Sequence, residues 1–399
     1  MRENSQSKAS QRVALAAALM QAFAERSGLS GGAVTRRYLW TDAFAVDNFL
    51  ALHRGTGVAV QLSRAQTLVQ LVHEVLGRQR EDAPVHGFLS GLDATAAREH
   101  PTVAGLRIGK PLAERGPAEP FDAHREWDRD GQYLHYLTQW GRALLAMHRA
   151  TADPRYHRFA VELLLVAHAA FAHDRDGGRR ALYWKMSCGL DRPLVASMGQ
   201  HDAVDALVLG LELQRERALP IGSAQVLAAA LADLRGIADA VDWTTTDALG
   251  IGGLLITAGR LARVARDRGD EVAMLVRLLD SATVGLDCLG NVFEARLPEL
   301  RPAFREIGLA IGLRAVADAE SWRRCTSFAG GALVAARLRE LARHEELADR
   351  IEGTWCQPHL RSHPSWTAHL DIDEVMLASL LLAGGGECLA GEPGEAAAG

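Results

Sequence analysis

Hydrophobic residues recur at helical spacing along the whole chain, and strand-like alternation is almost absent. The pattern predicts helices over 10–26, 42–54, 64–80, 131–151, 155–173, 202–217, 222–240, 247–268, 270–286, 304–318, 330–350 and 371–384. They fall into two classes. Segments starting at 42, 131, 202, 247, 304 and 371 are apolar nearly all round, as in DALGIGGLLITAG (247–259) and DIDEVMLASLLLAGG (371–385). A helix apolar on every face is buried on every face. The segments between them carry one charged face, as in RAQTLVQLVHEVLGRQRED (64–82) and ARLRELARHEELADRI (336–351).

Inner and outer helices thus alternate six times, which predicts an all-α fold, an (α/α)6 toroid of six inner and six outer helices. An α-solenoid would show more regular repeat lengths. Gly250, Gly252, Gly253 and Gly259 suit close approach of an inner helix to its neighbours. One domain is expected over 10–385, between a flexible N-terminus (1–9) and a disordered Gly/Glu/Ala tail (386–399). Two irregular stretches, 83–129 and 174–201, interrupt the pattern. Loops of that length inside a domain usually serve function. The segment 83–120, with HGFLSGLD and HPTVAGLRIGKPL, reads equally well as a lid or as a packed surface loop.

Composition narrows the class. With 48% hydrophobic and 23% charged residues, the chain can bury a large core and is not intrinsically disordered. A net charge of −5 with scattered basic residues gives no footprint for nucleic acid. Cys188, Cys288, Cys325, Cys356 and Cys388 form no C-x-x-C pair, which predicts free thiols in a reducing compartment. Ala22-Phe23-Ala24 loosely imitates a signal-peptidase site. However, the alanine-rich run carries Gln21 and passes into Glu25 and Arg26 as an amphipathic helix would. A cytoplasmic protein with no membrane span is expected. Oligomeric state is not encoded in any pattern visible here.

The starts of the inner helices carry the candidate chemistry. They read LWTD (39–42), WDRDGQYLHY (127–136), GQHDAVD (199–205), TTTD (244–247), FRE (304–306) and HLDIDE (369–374). Aspartate and threonine cap helix N-termini, so each acid alone has a structural explanation. Capping does not account for their neighbours: Trp40, Trp127, Tyr133, Tyr136, Tyr183, Trp184 and Trp366, with His124, His135, His201 and His369, and the cations Arg129, Lys185 and Arg192. In an alternating ring all inner helices run one way, so these clusters converge on one rim. Aromatic platforms beside carboxylates suit a polyhydroxylated ligand, whose C–H faces stack while its hydroxyls hydrogen-bond.

RYLWTDAFAVDNFLAL (37–52) is similar to the aromatic–acidic opening of an inner helix in the six-hairpin, or (α/α)6-barrel, glycosidase-like superfamily. MGQHDAVDALVLGLEL (198–213) resembles an inner helix whose leading aspartate, matching Asp202, serves as the acid in unsaturated glucuronyl hydrolase-like members. The likeness extends over 10–385. It departs from those members' W-x-D-D-x-x-M-like text, since Gln200-His201 precede a single aspartate, and the N-P-H-M-H-style motif of N-acylglucosamine 2-epimerase-like members is missing. The resemblance implies a carbohydrate-active enzyme that needs no cofactor.

Glycosidic cleavage requires one protonated carboxyl and one ionised carboxylate. Asp202 is the expected acid, Asp130 the expected partner, and Asp42 and Asp373 follow. Inversion is expected, because acids spread around a wide ring leave room for water. The alternatives are an epimerase or isomerase using His201 and His369, and a non-catalytic saccharide-binding protein. His201, Asp202, His369, Asp371 and Asp373 have hard-ligand character, but their spacing demands no metal and none is expected. D-I-D-E (371–374) resembles the D-x-D-D acid motif of class II terpene cyclases, whose repeated Q-W motifs are not evident.

Overall fold

The structure, a computed structural model, describes residues 2–31, 36–175, 177–216, 219, 222–265, 268–290, 296–317 and 319–383, without the side chains of 2–7 and 319–321. The tail predicted over 386–399, with Cys388, lies outside the described residues. The chain is mostly helical, and its contacts gather into two compact units. One spans Ala24–Val241; the other combines Met1–Phe23 with Asp242–Leu389. Helix α1 (Arg2–Arg26) begins eight residues before the predicted start and belongs almost wholly to the second unit.

In the Ala24–Val241 unit, α2 (Leu39–Thr56) and α3 (Ala59–Leu76) form a hairpin closed at Gly57, whose φ of 70° lies in the left-handed region that glycine adopts without strain. Two short helices follow, α4 (Ala94–Glu99) and α5 (Ala123–Trp127), each capped by an aspartate side chain, Asp93 and Asp122. Strand β1 (Gln132–Tyr133) then feeds α6 (Leu134–Thr151), which pairs with α7 (Pro154–Phe171). Asp153 caps α7 and Pro154 sits in its first turn, where the missing N–H costs nothing.

The stretch 174–201, expected to be irregular, is partly strand. β2 (Ala172–Asp174) pairs with β3 (Arg180–Leu182), while β4 (Lys185–Met186) lies between β1 and β5 (Pro193–Val195), all antiparallel. Strands this short carry no alternation long enough to read. Helices α8 (Asp202–Arg215) and α9 (Ser223–Asp239) close the unit. The all-round apolar helices α2, α6 and α8 pack side by side in that order, each against its own amphipathic partner. The segment 83–120 is packed over part of its length. Leu106 and Ile108 are fully buried, and the Leu106 N–H donates to Gln132 Oε1 at 2.8 Å. Removing 105–119 would therefore strip core residues, contrary to what a separable lid requires.

The second unit repeats the arrangement. Its helices are α10 (Ala248–Val264), α11 (Gly269–Leu289), α12 (Ala303–Ala317), α13 (Ala319–Thr326), α14 (Gly331–Leu341), α15 (Glu345–Trp355), α16 (Pro358–Arg361), α17 (Pro364–Thr367) and α18 (Leu370–Leu382). The helix predicted over 330–350 is broken by a 3-10 turn at Ala342–His344. Helices α10, α12 and α18 are the apolar set and lie in that order. Gly252 lets α10 meet α12 backbone to backbone: a Cβ there would stand 2.1 Å from the Gly308 carbonyl oxygen. Gly253 faces open space, so only part of the glycine run serves close packing. Arg12 of α1 docks on this unit, donating to Leu380 O at 3.0 Å and pairing with Glu352 at 3.3 Å. Among the described residues no helix is long and apolar enough to cross a membrane.

Candidate functional site

The starts of α2, α6 and α8 bring many of the expected residues together. Trp40 and Asp42 occupy the first turn of α2, Tyr133 to Tyr136 lead into α6, and His201 and Asp202 open α8. A wall of rings follows. Tyr133 lies 5.2 Å from both Tyr136 and Trp184, and Trp184 lies 6.5 Å from Trp127. Trp40 stands 6.5 Å from Tyr136, and the Tyr136 and Tyr38 hydroxyls share a short hydrogen bond. Trp127 is 47% exposed, so this end of the wall is open to a ligand.

His135 is set into the wall, stacked on Tyr133 at 5.4 Å and edge-on to Tyr136 at 4.5 Å. Its Nδ1 is buried, without a hydrogen-bond partner among the described residues, 4.0 Å from Asp202 Oδ1. Burial lowers the His135 pKa to about 4, with Asp205 opposing, so the ring is neutral at neutral pH. Asp202 is itself buried, and its Oδ2 has no hydrogen-bond partner among the described residues. Burial and then the nearby Asp205 charge raise its pKa to about 7, against a hydrogen bond from Gly199. Gly199 makes the site possible, because a Cβ there would fall 2.3 Å from Asp202 Oδ2. The result is a carboxylic acid that keeps its proton to neutrality, next to a neutral imidazole.

Asp130, expected as the second catalytic carboxylate, is instead a structural anchor. It is fully buried, and both oxygens are engaged. Oδ2 accepts from Arg107 and, at 3.4 Å, from Arg80; Oδ1 accepts from the backbone N–H groups of Gly109 at 2.9 Å, Gly131 at 3.1 Å and Lys110 at 3.4 Å. A carboxylate bound this fully cannot also orient and deprotonate water. The expected ligand-binding cations are committed in the same way. Lys185 is fully buried and donates to Glu126 O, Glu126 Oε1 and Arg129 O at 2.8–2.9 Å, which uses all three ammonium hydrogens. Arg129 binds both Glu119 oxygens, and Arg192 binds Glu114 and the Arg115 carbonyl. His124 is an exposed residue of the short α5. His201 is half-buried at the N-cap of α8, without a capping hydrogen bond from its side chain.

Trp366, His369 and Asp373 belong to the second unit. Trp366 is core, its ring 5.8 Å from Trp355. His369 meets Phe304 edge-on at 6.4 Å. Asp373 is buried and accepts the Phe304 N–H at 3.0 Å, so it caps α12 from the neighbouring α18. Its pKa is raised to about 8 by burial, which that hydrogen bond opposes. Asp247 caps α10 through the Gly250 N–H at 3.0 Å and also pairs with Arg305. Among the described residues no group of three or more His, Cys, Asp or Glu is placed to hold a metal ion.

Two residues of the site were not singled out in the sequence. Tyr38 sits two positions before Trp40 in a segment already notable for aromatics, so it was within reach. Lys110 lies in a loop, and nothing in its spacing links it to the Tyr38 and Trp127 rings it covers, at 5.3 and 4.9 Å from the ammonium.

The two protonated aspartates set a pH dependence of stability. An unfolded aspartate ionises near pH 4, whereas Asp202 and Asp373 hold their protons to about 7 and about 8. The folded state then binds more protons between those values, so stability is greatest below pH 4 for these groups and is lost as pH rises toward 8. The difference in urea midpoint between wild type and Asp373→Asn, followed from pH 4 to 9, should grow in the variant's favour with rising pH. A pH-independent difference would show that Asp373 is ionised in the fold.

No protein-family model matches the chain, and no curated protein or solved structure is detectably similar to it.

Proposed function

We propose that the wall at the starts of α2, α6 and α8 binds a saccharide and that Asp202 donates a proton to it. The reading is supported above all by one observation: a buried carboxyl, protonated near neutral pH and with an unpartnered oxygen, beside a stack of aromatic rings. A protonated acid at a glycosidic oxygen is the first requirement of glycoside hydrolysis. With Asp130 locked, the partner carboxylate in an inverting hydrolase becomes Asp42, which is buried in the first turn of α2, on the other side of α6 from α8, and 3.7 Å from the Arg37 guanidinium. The proposal includes the finer architecture, an (α/α)6 toroid to which α2, α6 and α8 contribute three inner helices and α10, α12 and α18 the other three. It also includes a reducing, cytoplasmic setting, supported by free thiols at Cys188, Cys288, Cys325 and Cys356.

A second reading rests on His135. A neutral imidazole 4.0 Å from a protonated carboxyl is a base next to an acid, the pair that epimerisation or isomerisation beside a carbonyl needs. His135 replaces His201 and His369 in that role. Incubating the protein with a saccharide panel in deuterated water separates the readings. Hydrolysis releases a new reducing end without carbon-bound deuterium, whereas isomerisation incorporates deuterium at carbon without cleavage. Binding with neither change leaves a saccharide-binding protein.

A further inference from the structure

A cleft of about 460 Å³ opens in the Ala24–Val241 unit and shares Lys110 with the Trp127 end of the wall. Five cationic side chains line it, Arg36, Arg37, Arg80, Arg107 and Lys110, against two acids, Glu81 and Asp82. The internal pairing is uneven. Arg80 is spent on Asp82, at 2.7 and 2.8 Å, and on the Lys110 and Pro111 carbonyls. Arg107 is spent on Asp130 and on the Arg78 and Val75 carbonyls. Those two arginines neutralise Asp82 and Asp130 and hold the walls of the cleft in place.

The other three cations are under-compensated. Lys110 has no ion pair or side-chain hydrogen bond among the described residues; its ammonium rests on the faces of Tyr38 and Trp127. Arg36 is exposed and, among the described residues, makes one side-chain hydrogen bond, from Nε to Gly109 O at 3.2 Å. Arg37 is 2% exposed; its Nη2 donates to Ser27 O at 2.9 Å and its Nη1 lies 3.7 Å from Asp42, yet neither Nε nor Nη1 has a hydrogen-bond partner among the described residues. A buried guanidinium with unspent donors is costly unless something of opposite charge answers it. Burial lowers the Lys110 pKa, with the charges of Lys185 and Arg36 adding to it and those of Asp128 and Asp130 opposing it.

We infer that this cleft is an oxyanion subsite for a phosphate group, held by Lys110 and Arg36 above the buried charge of Arg37. A phosphate fits better than a carboxylate because it carries up to two charges and three acceptor oxygens toward several separated donors. The cleft also exceeds what a lone phosphate fills. Since Lys110 touches the same Trp127 ring that ends the aromatic wall, the group suits a phosphorylated ligand whose remainder lies along the rings. The anion site stands on its own geometry, and only this last extension rests on the saccharide reading.

The test is a titration of the full chain with inorganic phosphate at constant ionic strength, followed by tryptophan fluorescence and calorimetry. Saturable binding is expected, weakened at least tenfold in both Lys110→Met and Arg36→Gln, with far-ultraviolet circular dichroism unchanged. Asp202→Asn should bind phosphate like the wild type, which keeps failure of the proposed chemistry separate from failure of the anion site. Glucose 6-phosphate binding more tightly than inorganic phosphate assigns the group to a phosphorylated saccharide; equal affinity assigns it to free phosphate. Absence of saturable phosphate binding, or wild-type affinity in both variants, overturns the inference. Tighter binding of glucuronate than of either phosphate compound overturns the choice of phosphate.

Discussion

Asp202→Asn should leave the fold and saccharide binding intact and reduce turnover about 10²–10⁴-fold, the usual worth of a positioned proton donor. Asparagine keeps the size of the side chain and its place against Gly199, but it has no proton to give. The wild-type rate should fall as pH rises past about 7, where the Asp202 carboxyl loses its proton. That alkaline limb should vanish from whatever activity the variant retains. Asp247→Asn is the control. Asp247 caps α10, and asparagine caps about as well, so turnover should not change. Measuring kcat, KM and their pH profiles on the three proteins decides the matter. If Asp202→Asn turns over like the wild type, Asp202 has no part in the chemistry. If it merely melts earlier, with turnover intact below the transition, its role is structural.

Asp130→Ala should destabilise the protein by about 3–5 kcal/mol, the typical result of stripping one partner from a buried charge pair. The substitution would leave the Arg107 guanidinium and the Gly109 and Gly131 N–H groups buried around an empty space. Since domains are stable by only about 5–15 kcal/mol, much of that margin would go. The urea midpoint and the amount of soluble protein are the direct readouts. A wild-type midpoint combined with selective loss of turnover would return Asp130 to the role of catalytic base. The contrast with Asp202 is physical. Both are buried aspartates near the starts of apolar helices, but one has its oxygens saturated by cations and backbone N–H groups, and the other has an oxygen without a hydrogen-bond partner among the described residues.

The helical plan was legible in the sequence because burial imposes periodicity. Helices apolar on all sides, such as DALGIGGLLITAG, and helices with one charged face, such as RAQTLVQLVHEVLGRQRED, announce their surroundings over three or more turns, and each is present where its pattern lies. The aromatic and acidic residues at the helix starts were also visible, because residues of those kinds cluster in short text such as RYLWTD and GQYLHY. What tertiary structure alone decided was which charges are free. Asp130, Lys185, Arg129 and Arg192 look like site residues in one dimension, but their partners, Arg107, Glu126, Glu119 and Glu114, arrive from the irregular 83–129 segment, which has no period to place it. The same holds in reverse for Lys110, which gains its meaning only from the rings it covers. Periodicity reports how much of a side chain is buried. Protonation and catalytic availability depend on individual atoms a few ångströms away, contributed by distant parts of the chain.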